Sequence, residues 1–161
     1  MADNNFQDLV QINATRVEHL RVNFGAPAAA DADGILDGVA ANTNAQVYTA
    51  EDFKAGFEGT LEVARNVTLV GSSGANHVVT VTGKDEYGQP MSENLTANGA
   101  TTVNGKKAFK EITKVNVAAG AAGDTIDLGW GDVLGLPVRI ERAGDIVEEL
   151  EDGAAATAGT L

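Results

Sequence analysis

The stretch from Arg65 to Val117 constrains the fold more than any other part of this chain. Val67 and Leu69 alternate with Asn66, Thr68 and Val70, and Val79 and Val81 alternate with Val78, Thr80 and Thr82. Apolar residues recurring every second position mark strands with one face on a core and one on solvent, as in antiparallel sheets. Turn-forming clusters separate the runs. Gly71–Asn76 (GSSGAN) reads as a loop, and Asp85–Pro90 (DEYGQP) as the tip of a hairpin joining residues 77–83 to 91–97. Asn104-Gly105 is the strongest hairpin signal, because both residues accept the positive φ that a type I′ turn requires. It predicts a turn pairing Ala100–Val103 with a strand that starts near Lys107. Further on, Phe109, Val115 and Val117 share one strand face while Ile112 falls on the other, which calls for a bulge or a brief helical turn near Glu111.

The flanks carry weaker signals. Residues 1–16 are polar, with Phe6, Leu9, Val10 and Ile12 spaced among them, and read as an arm. Residues 17–24 suit a strand or a short helical turn. Residues 25–46 are rich in Ala, Gly, Asp and Asn and read as loop or extended chain around a small apolar knot at Ile35, Leu36 and Val39. Connections longer than about 12–15 residues are usually functional or linker-like. Glu51–Phe57 suits one helical turn placing Phe53 and Phe57 together, and a strand at Thr60–Ala64 leads into the central stretch. Ile126 and Leu128 alternate with Thr125 and Asp127. Leu136, Val138 and Ile140 share a face. Beyond Gly144, a short helix capped by Asp145 and a hairpin turning at Asp152-Gly153 are both compatible with the pattern.

These readings give a mainly β fold, an antiparallel β-sandwich or jelly-roll-like body with an extended N-terminal arm. The expected division is an arm and loop segment at 1–59, a β-rich body at 60–142, and a C-terminal segment at 143–161 that is loosely ordered or completes a sheet in an assembly. A chain of 161 residues suits one such body. Aromatic residues are only 5% of it, so large core-filling side chains are scarce and a thin sandwich fits best. There is no cysteine, which removes disulfides and thiolate metal sites. The first residues show neither a basic region nor an apolar region of a signal peptide, and no run approaches the roughly 20 apolar residues that span a bilayer. The expected product is made in a cytoplasm and stays soluble, or leaves by lysis. With a formal net charge of -12 and scattered basic residues, the chain lacks the clustered Lys and Arg that direct nucleic-acid binding needs.

No catalytic, cofactor or metal constellation emerges. The histidines are His19 and His77, too few for a three-histidine zinc site within one chain, and the plainer reading puts His77 at a strand start. Asp31, Asp33 and Asp37 resemble a calcium loop faintly, but setting Gly34 at the sixth position puts Ala29 at the first, where an oxygen ligand is needed. A turn-rich acidic loop is the simpler reading; a weak calcium site is the alternative. Gly129, Gly131 and Gly135 miss the dinucleotide spacing by one residue. GSSGAN lacks the P-loop lysine, and Ser72 and Ser73 lack a nucleophile-elbow context. Asn13, Asn66 and Asn94 open glycosylation sequons without a secretory signal. Trp130, the single tryptophan, either plugs an end of the sandwich or anchors an interface.

The runs RNVTLVG, VTVTGKDEYGQPMSENLT, TTVNGKKAFKEITKV and GDTIDLGWGDVLGLPVRI, in that order, resemble a pattern in tailed-bacteriophage capsid decoration (cement) proteins. There, an RNVTVTG-like strand is followed by a V-T-G-x-D-x-x-G hairpin, a G-x-x-A-F-K-x-I-T segment and a late G-x-G-D-x-L-G-L-P motif. The resemblance covers roughly residues 65–140. It implies a non-enzymatic structural virion protein on the capsid exterior, commonly a homotrimer, that bridges neighbouring major capsid protein subunits without direct nucleic-acid or membrane contact. It also implies further strands after Gly153, where this sequence departs from the pattern. On this reading the capsid and subunit contacts fall to Phe6, Leu9, Val10, Ile12, Val17, Leu20, Phe24 and Trp130. The competing expectation is a phage tail or fibre component, or another host-surface carbohydrate-binding β-module.

Overall fold

A computed structural model describes residues 22–72, 74–136, 150–151 and 154–155. The fold is mainly β and antiparallel, consistent with a β-sandwich. Seven strands form the main sheet: β1 (Asp31–Ala41), β2 (Gln46–Thr49), β3 (Thr60–Gly71), β4 (Val78–Lys84), β5 (Pro90–Thr96), β6 (Val103–Val117) and β7 (Asp124–Leu134). They are ordered β1-β7-β3-β6-β4-β5, with β2 also paired to β6. Two short strands, β8 (Leu150–Glu151) and β9 (Ala154–Ala155), pair antiparallel with each other, which favours the hairpin alternative there. Chain compactness separates Phe24–Pro137 from a second unit formed by Met1–Asn23 and Val138–Leu161. The expected arm, residues 1–16, lies outside the described residues.

The period-2 runs form strands where they were expected. β4 and β5 pair without interruption from Val78↔Thr96 to Lys84↔Pro90. The Asp85 carboxylate holds their turn, accepting Tyr87 N–H at 2.9 Å and Gln89 N–H at 2.8 Å. β6 is the long central strand. Its first half pairs with β3, and its second half lies between β4 and β2. The register with β4 slips between Thr82↔Lys114 and Gly83↔Ile112, so Thr113 bulges out. That bulge brings Ile112 into phase with Val115 and Val117, and all three reach the core together with Phe109. Bulges also raise local twist, which lets one continuous sheet curve until Ile35, Leu36, Ile126 and Leu128 share a single core with Val79, Val81 and Val115.

Two expectations are corrected. Residues 25–46 are not a loop, since β1 pairs with β7 from Asp31↔Trp130 to Ala41↔Asp124 and β2 begins at Gln46. The pattern was hidden because register shifts in β1 leave Gly34, Ile35 and Leu36 buried in succession, which breaks the alternation. Asn104-Gly105 is not a turn either; both residues lie within β6. The chain reverses earlier, at Asn98–Thr101, where Thr101 N–H donates to Asn98 O at 3.1 Å and Gly99 takes φ 55°. Gly105 is needed for close approach instead: a Cβ there would lie 3.0 Å from Val67 O and 2.7 Å from the Glu93 carboxylate. The helical turn at 51–57 is a single 3₁₀ turn at Ala50–Asp52, and the rings of Phe53 and Phe57 do meet, at 5.7 Å between centroids.

Candidate functional site

Phe6, Leu9, Val10, Ile12, Val17 and Leu20 lie outside the described residues. Phe24 is half-buried. Trp130 is engaged within the chain. Its ring packs on Phe57 at 5.5 Å and fills the space above Gly34, where a Cβ would lie 2.4 Å from it. Its indole N–H donates to Ala29 O at 3.1 Å. These are the contacts of a plug. The flanking glycines have packing roles too, because Gly129 lets Asp31 O approach and Gly131 makes room for the Asn66 side chain.

The acidic stretch at Asp31–Asp37 lies on a strand. Lys54 bridges two of its carboxylates, at 2.8 Å from Asp33 and 3.6 Å from Asp37, so an internal cation stands among these oxygens. The Lys54 ammonium holds the Asp33 carboxyl below the usual carboxylate range, and the Asp33 carboxylate in turn holds Lys54 above the usual lysine range. Among the described residues, no group of three or more His, Asp or Glu side chains is arranged to hold a metal ion.

His77, Asp124 and Ser72 come together, which sequence spacing did not reveal. His77 Nε2 lies 3.0 Å from Asp124 Oδ2, and Ser72 Oγ donates to Asp124 Oδ1 at 3.3 Å. A hydrolytic triad needs the imidazole between nucleophile and carboxylate. Here the carboxylate is in the middle, and His77 Nδ1 faces Ala118 O at 3.2 Å. His77 is 2% exposed. The cluster therefore fastens the Gly71–His77 and Ala118–Asp124 connections to each other.

The surface feature that stands out is the outer face of the wall formed by β2, β6, β4 and β5. Paired positions form rows across it: Val47, Asn116, Thr80 and Asn94 in one, and Thr49, Lys114, Thr82 and Ser92 in the next. These side chains alternate with the buried Val79, Val81, Leu95, Val115 and Val117 and so point outward. The rows contain no carboxylate and one charge, Lys114. Val47 and Val78 are exposed on the same face, at 59% and 40%. On a chain of net charge -12 this is a surface that other molecules can approach with little repulsion. Sequence reading missed it because the constituents are ordinary exposed strand residues, and only pairing gathers them. Beyond it, Tyr87 stands 67% exposed at the β4–β5 tip.

Neither protein-family models, nor curated proteins, nor solved structures match the chain.

Proposed function

We propose that this chain is a structural virion protein that binds the outer surface of a phage capsid and stabilises it by bridging neighbouring major capsid protein subunits, working as a homotrimer. The observation that carries the reading is the acid-free face that includes Lys114. It suits binding by area and shape, and it is built from two of the motif-bearing segments on which the resemblance rests. The other two, on β3 and β7, adjoin them in the same sheet.

The size of the face decides what else is needed. Four strands about 4.8 Å apart and two rows about 7 Å apart give on the order of 300 Å². A stable interface takes about 800 Å² from each partner. The face alone is too small, and the proposal assigns the remaining area to the N-terminal residues that carry Phe6, Leu9, Val10 and Ile12. The carbohydrate-binding alternative needs several exposed rings together; Tyr87 is exposed at the β4–β5 tip, but Trp130 is committed to Phe57 and Ala29.

Co-sedimentation with capsids lacking this protein tests the proposal. The chain should pellet with them, and cryo-electron microscopy should place it on the shell near local three-fold positions. Lys114→Glu should weaken binding at least about tenfold, which corresponds to roughly 1.4 kcal/mol, with an unchanged melting temperature. Deleting residues 1–24 should leave the sheet folded and lower occupancy. Density only at the tail, or full occupancy by both variants, refutes the reading.

A further inference from the structure

His77 joins two connections, and the number of protons it needs follows from its neighbours. Its side chain is fully covered. Ring atom Nδ1 lies 3.2 Å from Ala118 O, and Nε2 lies 3.0 Å from Asp124 Oδ2. A backbone carbonyl and a carboxylate both accept hydrogen bonds and neither donates. Both contacts are therefore hydrogen bonds at once only when both ring nitrogens carry protons. Imidazole is a stronger base than a carboxylate, so the proton between Nε2 and Asp124 belongs to the ring.

The surroundings suit that charge. The Asp124 side chain is 17% exposed, and its other oxygen accepts from Ser72 Oγ at 3.3 Å. Ser72 Oγ in turn accepts from Thr125 N–H at 3.0 Å, which aims the carboxylate at the ring. Each packed element contributes a known group. The β6–β7 connection brings Ala118 O and Gly120, where a Cβ would fall against the ring. The start of β7 brings Asp124, and the Gly71–Asn76 loop places Ser72 behind it. Among the described residues, Asp124 is the one ion-pair partner of His77. A buried cation needs a paired charge and satisfied donors, and the doubly protonated ring has both.

Removing one proton forces a choice. A ring protonated at Nδ1 turns the Nε2 lone pair on the Asp124 carboxylate. A ring protonated at Nε2 keeps that bond and turns its Nδ1 lone pair on Ala118 O. The second arrangement costs less, because the opposing group is neutral. Ala118 is also exposed, so its carbonyl can turn to water.

We infer that His77 is a pH-sensitive clasp on the β6–β7 connection: the doubly protonated ring ties Ala118 to Asp124, and loss of the Nδ1 proton frees Ala118 O and loosens residues 118–123. An imidazole changes charge between about pH 5 and 8. The Ala118 bond is present on the acid side of that range and is lost as pH rises through it. The connection consists of exposed Ala and Gly. Its backbone is tied by Ala118 N–H, donating to Val78 O at 2.8 Å, and by Gly120 N–H, donating to Asn42 O at 3.0 Å. One further bond is therefore a large share of what holds it. The clasp goes beyond the proposed function and does not depend on what the chain binds.

Nitrogen NMR of the full-length chain, labelled in its histidine rings, tests the inference, with His19→Gln assigning the two rings. At about pH 5 both His77 nitrogens should carry protons, and at about pH 8 the ring should be neutral with its proton on Nε2. Across that range the hydrogen-exchange protection of Gly120 N–H, corrected for intrinsic rates, should fall at least about tenfold, as for losing one bond from a charged donor. In Asp124→Asn the side-chain amide can donate to Nε2, so a neutral ring protonated at Nδ1 makes both bonds. The tautomer at the higher pH should therefore switch, and Gly120 protection should stop following pH. A ring neutral at the lower pH, Gly120 protection unchanged between the two, or the same tautomer in parent and variant overturns the inference. The first two readings are made with Asp124 in place, so they decide even where the variant loses its fold.

Discussion

Gly34 has a tryptophan ring where a side chain would be. A methyl group there would lie 2.4 Å from Trp130, and the ring is already fixed by Phe57 and by Ala29 O. Gly34→Ala should therefore force the ring outward and cost about 1–3 kcal/mol, in the range of overpacked cores. Because Trp130 is the single tryptophan, its fluorescence reads the displacement directly. A red-shifted emission with a lowered urea midpoint is expected; unchanged emission would mean that the backbone of β1 yields instead. At the same scale, Phe109 is the largest fully buried side chain among the described residues. Phe109→Ala should cost about 3–5 kcal/mol, a loss that falls on a core poor in aromatics.

β6 shows what a strand takes from its neighbours. Between Asn66↔Ala108 and Thr68↔Asn104, β6 advances further than β3, and the intervening residues lose regular ladder partners. The freed N–H groups of Lys106 and Lys107 donate to the two Glu93 carboxylate oxygens, at 2.7 and 3.2 Å, from across the sheet on β5. Glu93→Gln leaves one amide oxygen for two donors and should cost about 1 kcal/mol, seen as a lowered urea midpoint. Asn104→Ala should stay within about 0.5 kcal/mol, as for an ordinary exposed strand position; a larger cost would restore the turn. The same strands mark what was readable. β4, β5 and β7 were legible because parity and turn chemistry agree there, as at Asp85, whereas β3 was legible from Val67 and Leu69 although Asn66 and Thr68, expected on the solvent face, are buried as well. Asn104-Gly105 misled because a local turn preference lost to pairing with β3, and β1 was hidden because bulging buried consecutive residues. The acid-free face and the meeting of His77 with Asp124 depend on which elements lie side by side, and short-range spacing does not carry that information.

For the molecule as a whole, charge sets the response to conditions. The half-exposed Asp33–Lys54 pair should support a stability plateau with two limbs. The Asp33 carboxyl is lowered on folding, so its contribution is present above the usual carboxylate range and is lost as pH falls through it and below. Lys54 is raised, so its contribution is present below the usual lysine range and is lost as pH rises through it. Asp33→Asn should flatten the part of both limbs due to this pair, measured by urea denaturation across pH. Salt should shrink the difference between the two proteins. Identical limbs in the variant and the parent would remove the pair from the account. Beyond charge, the partnership of β1 with β7 has a consequence for how the chain is made. The β4–β5 hairpin can close as soon as its residues leave the ribosome, but Ile35 and Leu36 must wait for Ile126 and Leu128, about ninety positions later. Contacts of that sequence separation close slowly. During synthesis, the first sheet strand to emerge is among the last to be covered, and the nascent chain depends on its acidic surroundings to keep that strand from straying.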